Sequence, residues 1–467
     1  VLDQPENAFI ENRTFEELML GETASLSHTV TQRDIDLFAT VTGDVNPAHV
    51  DPAYAETDMF HHIIIQGMWG GGLISAVLGT RLPGPGTIYI GQDLRFRHPV
   101  SIGDTITATV TVREKNQEKS DVTLDCVCTN QRGKSVITGT AYTRAPAFKV
   151  RRQRITLPHV QVDRHDGMNT LMARAHGGAP VTTAVVYPID AASLMAALDA
   201  AKVGLIVPIL IGPLASLEAV ARAQSVDLAT FRLIDASDGP AAAARAVVLA
   251  RAGEVAMVMK GDLHTDELMH AVVAPKTGLR TERLISHVYL MDVPDYPRLL
   301  MITDAAINIA PALAEKACIV QNAIDLAHVI GIAQPRVAIL AAVETVNPKM
   351  PATLDAAELC KMAGRGEITG GIVGGPFGFD NAIDVAAAEE KHIVSPVAGR
   401  ADILVVPDLE SGNMLAKQLT FLSGAEAAGI VLGARVPIIL TSRADSASTR
   451  LASCSLGVLL ARAGKAA

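Results

Sequence analysis

The chain has 467 residues, 49% of them hydrophobic and 19% charged, with a formal net charge of −9. It is too long for one ordinary core and too apolar for a disordered chain, so two or three domains are expected. The acidic balance excludes a general nucleic-acid binder and leaves any anionic ligand to local arginines, lysines and helix N-termini, while five scattered cysteines suit a reducing compartment.

The opening stretch VLDQPENAFIENR lacks a basic-then-apolar signal, which points to a cytoplasmic protein. Thr31 and Asp34 form a capping-box-like helix start, followed by an apolar stripe of Ile35, Phe38 and Val41. The run FATVTGDVNPAHVD, residues 38–51, then places Asp44 and His49 on either side of Pro47. An unbroken helix would turn them about 140° apart, and Pro47 interrupts such a helix. A loop must therefore bring carboxylate and imidazole together, as a water-activating acid/base pair requires. Asn46 either orients this pair or makes an Asx turn before Pro47.

Residues 60–79, FHHIIIQGMWGGGLISAVLG, give a Gly-rich helix whose free N-terminal amides near Gly67 can hold a developing oxyanion. The run from Ile63 to Thr80 carries no charge and includes Gly67-x-x-x-Gly71, which raises a membrane span. Gln66, Trp69 and the glycines favour a buried central helix, so no membrane association is expected. His61 and His62 lack the spacing of a metal pair, and no metal site is expected anywhere. From Thr87 the pattern switches to period two, with Ile106, Ala108, Val110 and Val112 in one strand and Val122, Leu124, Cys126 and Cys128 in the next. A sheet wrapped on one long helix fits this order. A basic connector, APAFKVRRQRITLPHV from Ala145 to Val160, reads as a solvated linker that can touch anionic groups. The expected boundaries are a first domain at 1–148, a linker at 149–160 and a second domain at 161–467.

The second domain alternates buried strands such as EVAMVMKG, PRVAILAAV, ADILVVPD and VPIIL with alanine-rich helices. That order implies a mostly parallel α/β sheet in two lobes, with ligands beyond the carboxyl ends of the strands. Polar residues recur at those ends: Lys260 and Gly261; Glu344, Asn347 and Lys349; Asp408, Glu410 and Asn413; Ser442, Arg443 and Asp445. Their recurrence suggests a shared cleft.

Two resemblances add to this reading. Residues 38–79 resemble the hydratase motif of MaoC-like, (R)-specific enoyl-CoA hydratases, a family of α+β hot-dog folds. The resemblance implies Asp44 and His49 as catalytic residues; beside it, Asn46 and the backbone at Gly67 are expected to bind substrate. The motifs MKGDLHT, GLRTERLISHV, ITDAAINIAP, AAVETVNPKM, GGIVGGP, VAGRADILVVPDLESGN and LTSRADSAS resemble the phosphate acetyl/butyryltransferase family over about the last 300 residues, with AAVETVNPKM and LTSRADS leaning toward the butyryltransferase branch. That family's two-lobed fold is similar to the isocitrate dehydrogenase type. The order, hydratase before acyltransferase, is that of bacterial fusion enzymes joining an enoyl-CoA hydratase to a phosphate acetyltransferase.

For the second half the resemblance implies Ser442 as an oxyanion donor and Arg443 as a phosphate-binding residue, with Lys260, Arg283 and His287 on phosphate or CoA. The acetyltransferase branch has an aspartate several residues beyond the Ser-Arg pair, where this chain has Ser448, Thr449 and Arg450. Either Asp445 takes the part of the thiol base or the thiol ionises without one. The partners implied are acyl-CoA, phosphate and acyl phosphate, all substrates, with no resident cofactor, in a homo-oligomer. Alternatives are a hot-dog thioesterase, a transferase-like half that only binds acyl-CoA, and an NAD-dependent dehydrogenase. The last is disfavoured because no strand-to-helix G-x-G-x-x-G is present.

Overall fold

A computed structural model describes residues 8–155, 160, 166–440 and 445–464. The chain divides into two compact units, Val1–Val162 and Asp163–Ala467.

In the first unit a five-stranded antiparallel sheet runs in the order Thr23–Thr29, Thr105–Asn116, Asp121–Thr129, Ser135–Arg144, Ile88–Phe96. The alternation read from sequence decides its inner face. Ile106, Ala108, Val110 and Val112 are buried beside Val122, Leu124, Cys126 and Cys128, and all pack with Leu73, Ile74, Val77 and Leu78 of the helix Gly67–Thr80. This is the hot-dog arrangement, one helix wrapped by a sheet. The helix lies so close to the sheet that a Cβ on Gly70 would come within 2.3 Å of Ile137 Cδ1, and one on Gly67 within 3.0 Å of the Phe96 ring. A larger residue at either position would need the Ile137 or Phe96 side chain to shift.

The stretch expected to be a solvated linker is instead tied down at its start. Arg151–Gln153 pairs antiparallel with Phe9–Glu11, and Lys149 forms ion pairs with Glu11 and Glu17 at 3.0 and 2.9 Å. Lys149 thus neutralises nearby carboxylates of the same unit.

The second unit is built on one eleven-stranded sheet. From one edge it runs Arg232–Asp235, Ile206–Gly212, Val181–Val186, Met257–Lys260, Ile438–Ile439, Glu426–Leu432, Ser286–Asp292, Leu300–Thr303, Ile403–Val405, Arg336–Leu340, Ile372–Phe377. Neighbours are parallel except around Glu426–Leu432 and Ser286–Asp292, which pair antiparallel with each other and with their outer neighbours. The two lobes are therefore two parallel blocks of one continuous sheet. Adjacent residues of a strand bury into opposite faces: Val185 joins one apolar cluster while Ala184 and Val186 join another. Strands covered on both faces explain why these segments read as unbroken apolar runs rather than alternating ones.

Candidate active sites

The helix Gln32–Thr42 starts at a true capping box, Thr31 with Asp34, and stops at Gly43 in the left-handed region at φ 73°. Asp44 follows in the turn, exposed, its carboxylate accepting from Asn46 N at 3.3 Å. Asn46 caps the one-turn helix Pro47–Val50 by accepting from Ala48 N at 3.2 Å, so its side chain shapes the loop. His49, at the end of that turn, pairs through Nδ1 with the Ile64 carbonyl oxygen at 2.8 Å. A carbonyl only accepts, so Nδ1 carries the hydrogen and Nε2 of the neutral ring is left as a proton acceptor.

His49 and Gly67 line one cavity of about 310 Å³, walled by Phe60, Trp69, Phe96 and Ile137. Gly67 opens the central helix, where amides of the first turn lack intrahelical partners. Asp44 sits outside the cavity wall, and no hydrogen bond joins it to His49 among the described residues. Its backbone oxygen is reached by Gln66 Nε2 at 3.5 Å. Gln66 was read in sequence only as an argument against a membrane span. It is 1% exposed, lines the cavity, and leaves Oε1 without a partner. An uncharged polar residue inside an apolar run, at the first step of a helix, was the signal available.

In the second unit Lys260 ends the strand Met257–Lys260, and Gly261 follows where a Cβ would meet the Val186 oxygen at 2.4 Å. Lys260 is nearly buried and lines a cavity of about 460 Å³ with His264, His287, Tyr289, Asn413 and Lys417. Lys260 and Lys417 bring two cationic side chains to its lining. The buried carboxylate Asp304 shapes one wall: it accepts from Ala306 N and Ile307 N at 3.0 Å each and from Asn308 Nδ2 at 2.6 Å. Burial nevertheless keeps its carboxyl above the usual range, outweighing those bonds. Neither Asp304 nor Lys417 was singled out in sequence, although ITDAAINIAP was quoted as a motif.

Ser442 and Arg443 lie outside the described residues. The residues flanking them both belong to this cavity's surroundings: Leu440 lines it, and Tyr289, raised by burial, is raised further by the charge of Asp445. Ser446, rather than Asp445, is the N-cap of the helix Ala447–Ala463, accepting from Thr449 N at 3.0 Å.

His287 is 1% exposed, and burial pushes its imidazole down to about 3. It lines the cavity as a ring whose burial disfavours the charged form. Arg283 does not line the cavity. It pairs with Asp325 and reaches Asn322 Oδ1 at 3.4 Å. The polar group at Glu344–Lys349 is also elsewhere: Asn347 accepts from Lys349 N, and Glu344 sits 3.7 Å from Lys391. The strand before it, Arg336–Leu340, lies six positions across the sheet from Met257–Lys260, roughly 29 Å at the usual strand spacing. Among the described residues no group of three or more His, Cys, Asp or Glu is placed to hold a metal ion, and no helix is long and apolar enough to cross a membrane.

Comparison with known proteins bears on both units. A family model described as phosphate acetyl/butaryl transferase matches residues 239–456, and one described as MaoC like domain matches residues 20–130. A phosphate acetyltransferase of Rhizobium meliloti is 60% identical over 297 residues, covering 64% of this chain and 94% of that protein. The chain belongs to the phosphate acetyl/butyryl transferase family. A phosphate butyryltransferase of Clostridium acetobutylicum is 41% identical, over 60% of this chain and 92% of its own length, so the lean toward the butyryl branch is not carried by overall identity. The first unit is 42% identical to the solved R-hydratase PhaJ1 of Pseudomonas aeruginosa, over 33% of this chain and 99% of that one, with a TM-score of 0.32.

Proposed function

We propose that the chain is a bifunctional acyl-CoA enzyme. The first unit adds water to a trans-2-enoyl-CoA to give the (R)-3-hydroxyacyl-CoA, and the second moves an acyl group reversibly between CoA and phosphate. The substrates are CoA thioesters, phosphate and acyl phosphate, without a resident cofactor.

For hydration, the supporting observation is His49. Its Nδ1–H is anchored on the Ile64 carbonyl, which leaves Nε2 to take a proton from water in an apolar cavity. The oxygen then adds to C3 of the enoyl group, negative charge moves to the thioester oxygen, and an amide at the start of the Gly67–Thr80 helix receives it. C2 is protonated by the acid that His49 has become or by Asp44, three residues before the start of the helix carrying His49.

For acyl transfer, the support is the cationic cavity at the strand ends. Lys260 and Lys417 attract phosphate and Asn413 supplies a further polar contact, with Ser442 on the oxyanion, Arg443 on phosphate and Asp445 at the thiol. The reading includes a cytoplasmic homo-oligomer. The strand Ile88–Phe96 is an outer strand of its sheet and exposes Ile88, Ile90 and Phe96, which a second copy can cover.

The test is turnover of acetyl-, butyryl- and crotonyl-CoA with and without phosphate. Loss of enoyl absorbance without thiol release, and thiol release that requires phosphate, are expected. Thiol release without phosphate would instead make the first unit a thioesterase.

A further inference from the structure

His287 combines three features that a packing residue does not need. It lines the transferase cavity, it is 1% exposed, and among the described residues neither ring nitrogen makes a hydrogen bond, Nδ1 being fully buried without a partner. Nδ1 is closed off by protein, so the nitrogen that can meet a ligand in the cavity is Nε2, which no group among the described residues occupies. The ring is also held in place. It packs edge-on against Tyr289 with centroids 4.5 Å apart, and a Cβ at Gly429 would stand 3.2 Å from Nε2, close enough to press on the ring. Its own backbone oxygen accepts from Thr303 Oγ1 at 2.8 Å, fixing the strand beneath it.

We propose, building on the acyl-transfer reading above, that His287 is a catalytic hydrogen-bond donor whose ring N–H holds the thioester oxygen of the bound acyl group as that oxygen gains charge. A phosphate oxygen attacks the carbonyl carbon, a C–O bond forms, and the carbonyl pair moves onto oxygen, where His287 donates. The pair returns, the C–S bond breaks, acyl phosphate remains, and the proton of the incoming phosphate ends on the departing CoA sulfur. His287 itself neither gains nor loses a proton. An uncharged imidazole suits this work: it keeps one N–H at every working pH and does not trap phosphate as a permanent cation would. Its depressed basicity agrees with that part, although Lys260, Lys417 and His264 share the cavity and Asp445 acts on the adjacent Tyr289. The cations gather the phosphate, and His287 acts on the carbonyl.

The experiment compares His287→Leu, which has no donor, with His287→Gln, which retains an N–H, in the full chain. Phosphate-dependent CoA release from butyryl-CoA is measured at varied phosphate. If the wild type shows none, the acyl-transfer reading itself fails. With an active wild type, His287→Leu should lower kcat on the order of 10²-fold, the usual effect of removing one oxyanion donor, with the KM for phosphate little changed. His287→Gln should recover part of that loss. Nitrogen-15 NMR of the wild-type imidazole should show one unprotonated tautomer from about pH 5 to 8, with its N–H signal shifting when butyryl-CoA is added. Unchanged kcat in His287→Leu, a loss confined to the KM for phosphate, an ordinary histidine titration or an N–H signal indifferent to butyryl-CoA would each overturn the proposal. Should the leucine variant not fold, the wild-type NMR result decides.

Discussion

Replacing Gly261 by alanine tests how the transferase cavity is positioned. The added Cβ would lie 2.4 Å from the Val186 oxygen and 2.7 Å from the Tyr187 oxygen, both backbone atoms that no rotamer change can move. Ordinary contact begins near 3.4 Å, so the chain after Lys260 must retreat by about 1 Å from the neighbouring strand. The same junction is held by Gly261 N donating to the Val186 oxygen at 2.8 Å and Asp262 N to the Tyr187 oxygen at 2.8 Å, and both bonds would stretch. Overpacking of this kind costs about 1–3 kcal/mol, and a displacement of ~1 Å in a positioned group can cost about 10²-fold in rate. The assay is phosphate-dependent CoA release alongside thermal inactivation, with crotonyl-CoA hydration in the same sample as the control. Transfer should fall by one to two orders of magnitude while hydration holds. Transfer above half the wild-type rate with unchanged thermal inactivation would refute the packing argument.

Asp44→Asn should lower crotonyl-CoA hydration by on the order of 10²–10⁴-fold with acyl transfer intact, measured on one preparation. Arg443→Lys should raise the KM for phosphate more than that for CoA, because a lysine lacks the paired N–H donors that match phosphate; equal effects on both would remove Arg443 from the phosphate. For Asp445→Asn, a fall in CoA-thiol acylation that eases at high pH, where the thiol ionises unaided, supports a base; a pH-independent fall makes it a loop residue. Asp34 gives a pH prediction for stability. Burial pushes its carboxyl up, but hydrogen bonds from Thr31 and His28 outweigh this and hold it below its ordinary value. A lowered folded pKa stabilises above the unfolded value and is lost as pH falls through the folded one, so acid unfolding of the first unit should flatten in Asp34→Asn.

Much of the first unit was legible because each strand shows one face to the core, so Ile106 through Val112 and Val122 through Cys128 announce their pairing by period two. In the second unit, strands buried on both faces carry no such register, and the antiparallel turn of the sheet at Ser286–Asp292 and Glu426–Leu432 left no mark in the pattern. That reversal decides which strand ends meet. It brings Tyr289 and His287 to Lys260, while Asn347 and Lys349, which looked equivalent in sequence, belong to a distant part of the sheet. Arg283, expected on phosphate or CoA, pairs instead with Asp325, which stands 42 residues away on another element. The lowered basicity of His287 follows from burial, which its neighbours in sequence do not reveal.

The central claim is that one chain carries two separate acyl-CoA chemistries, the first resting on His49. Purified wild type and His49→Ala should be given crotonyl-CoA, and separately butyryl-CoA with phosphate, while enoyl absorbance and free thiol are followed. The account predicts that wild type performs both reactions, and that His49→Ala loses hydration by on the order of 10²-fold or more with phosphate-dependent thiol release unchanged. Hydration at the wild-type rate in His49→Ala, or a parallel fall in both reactions, would contradict it.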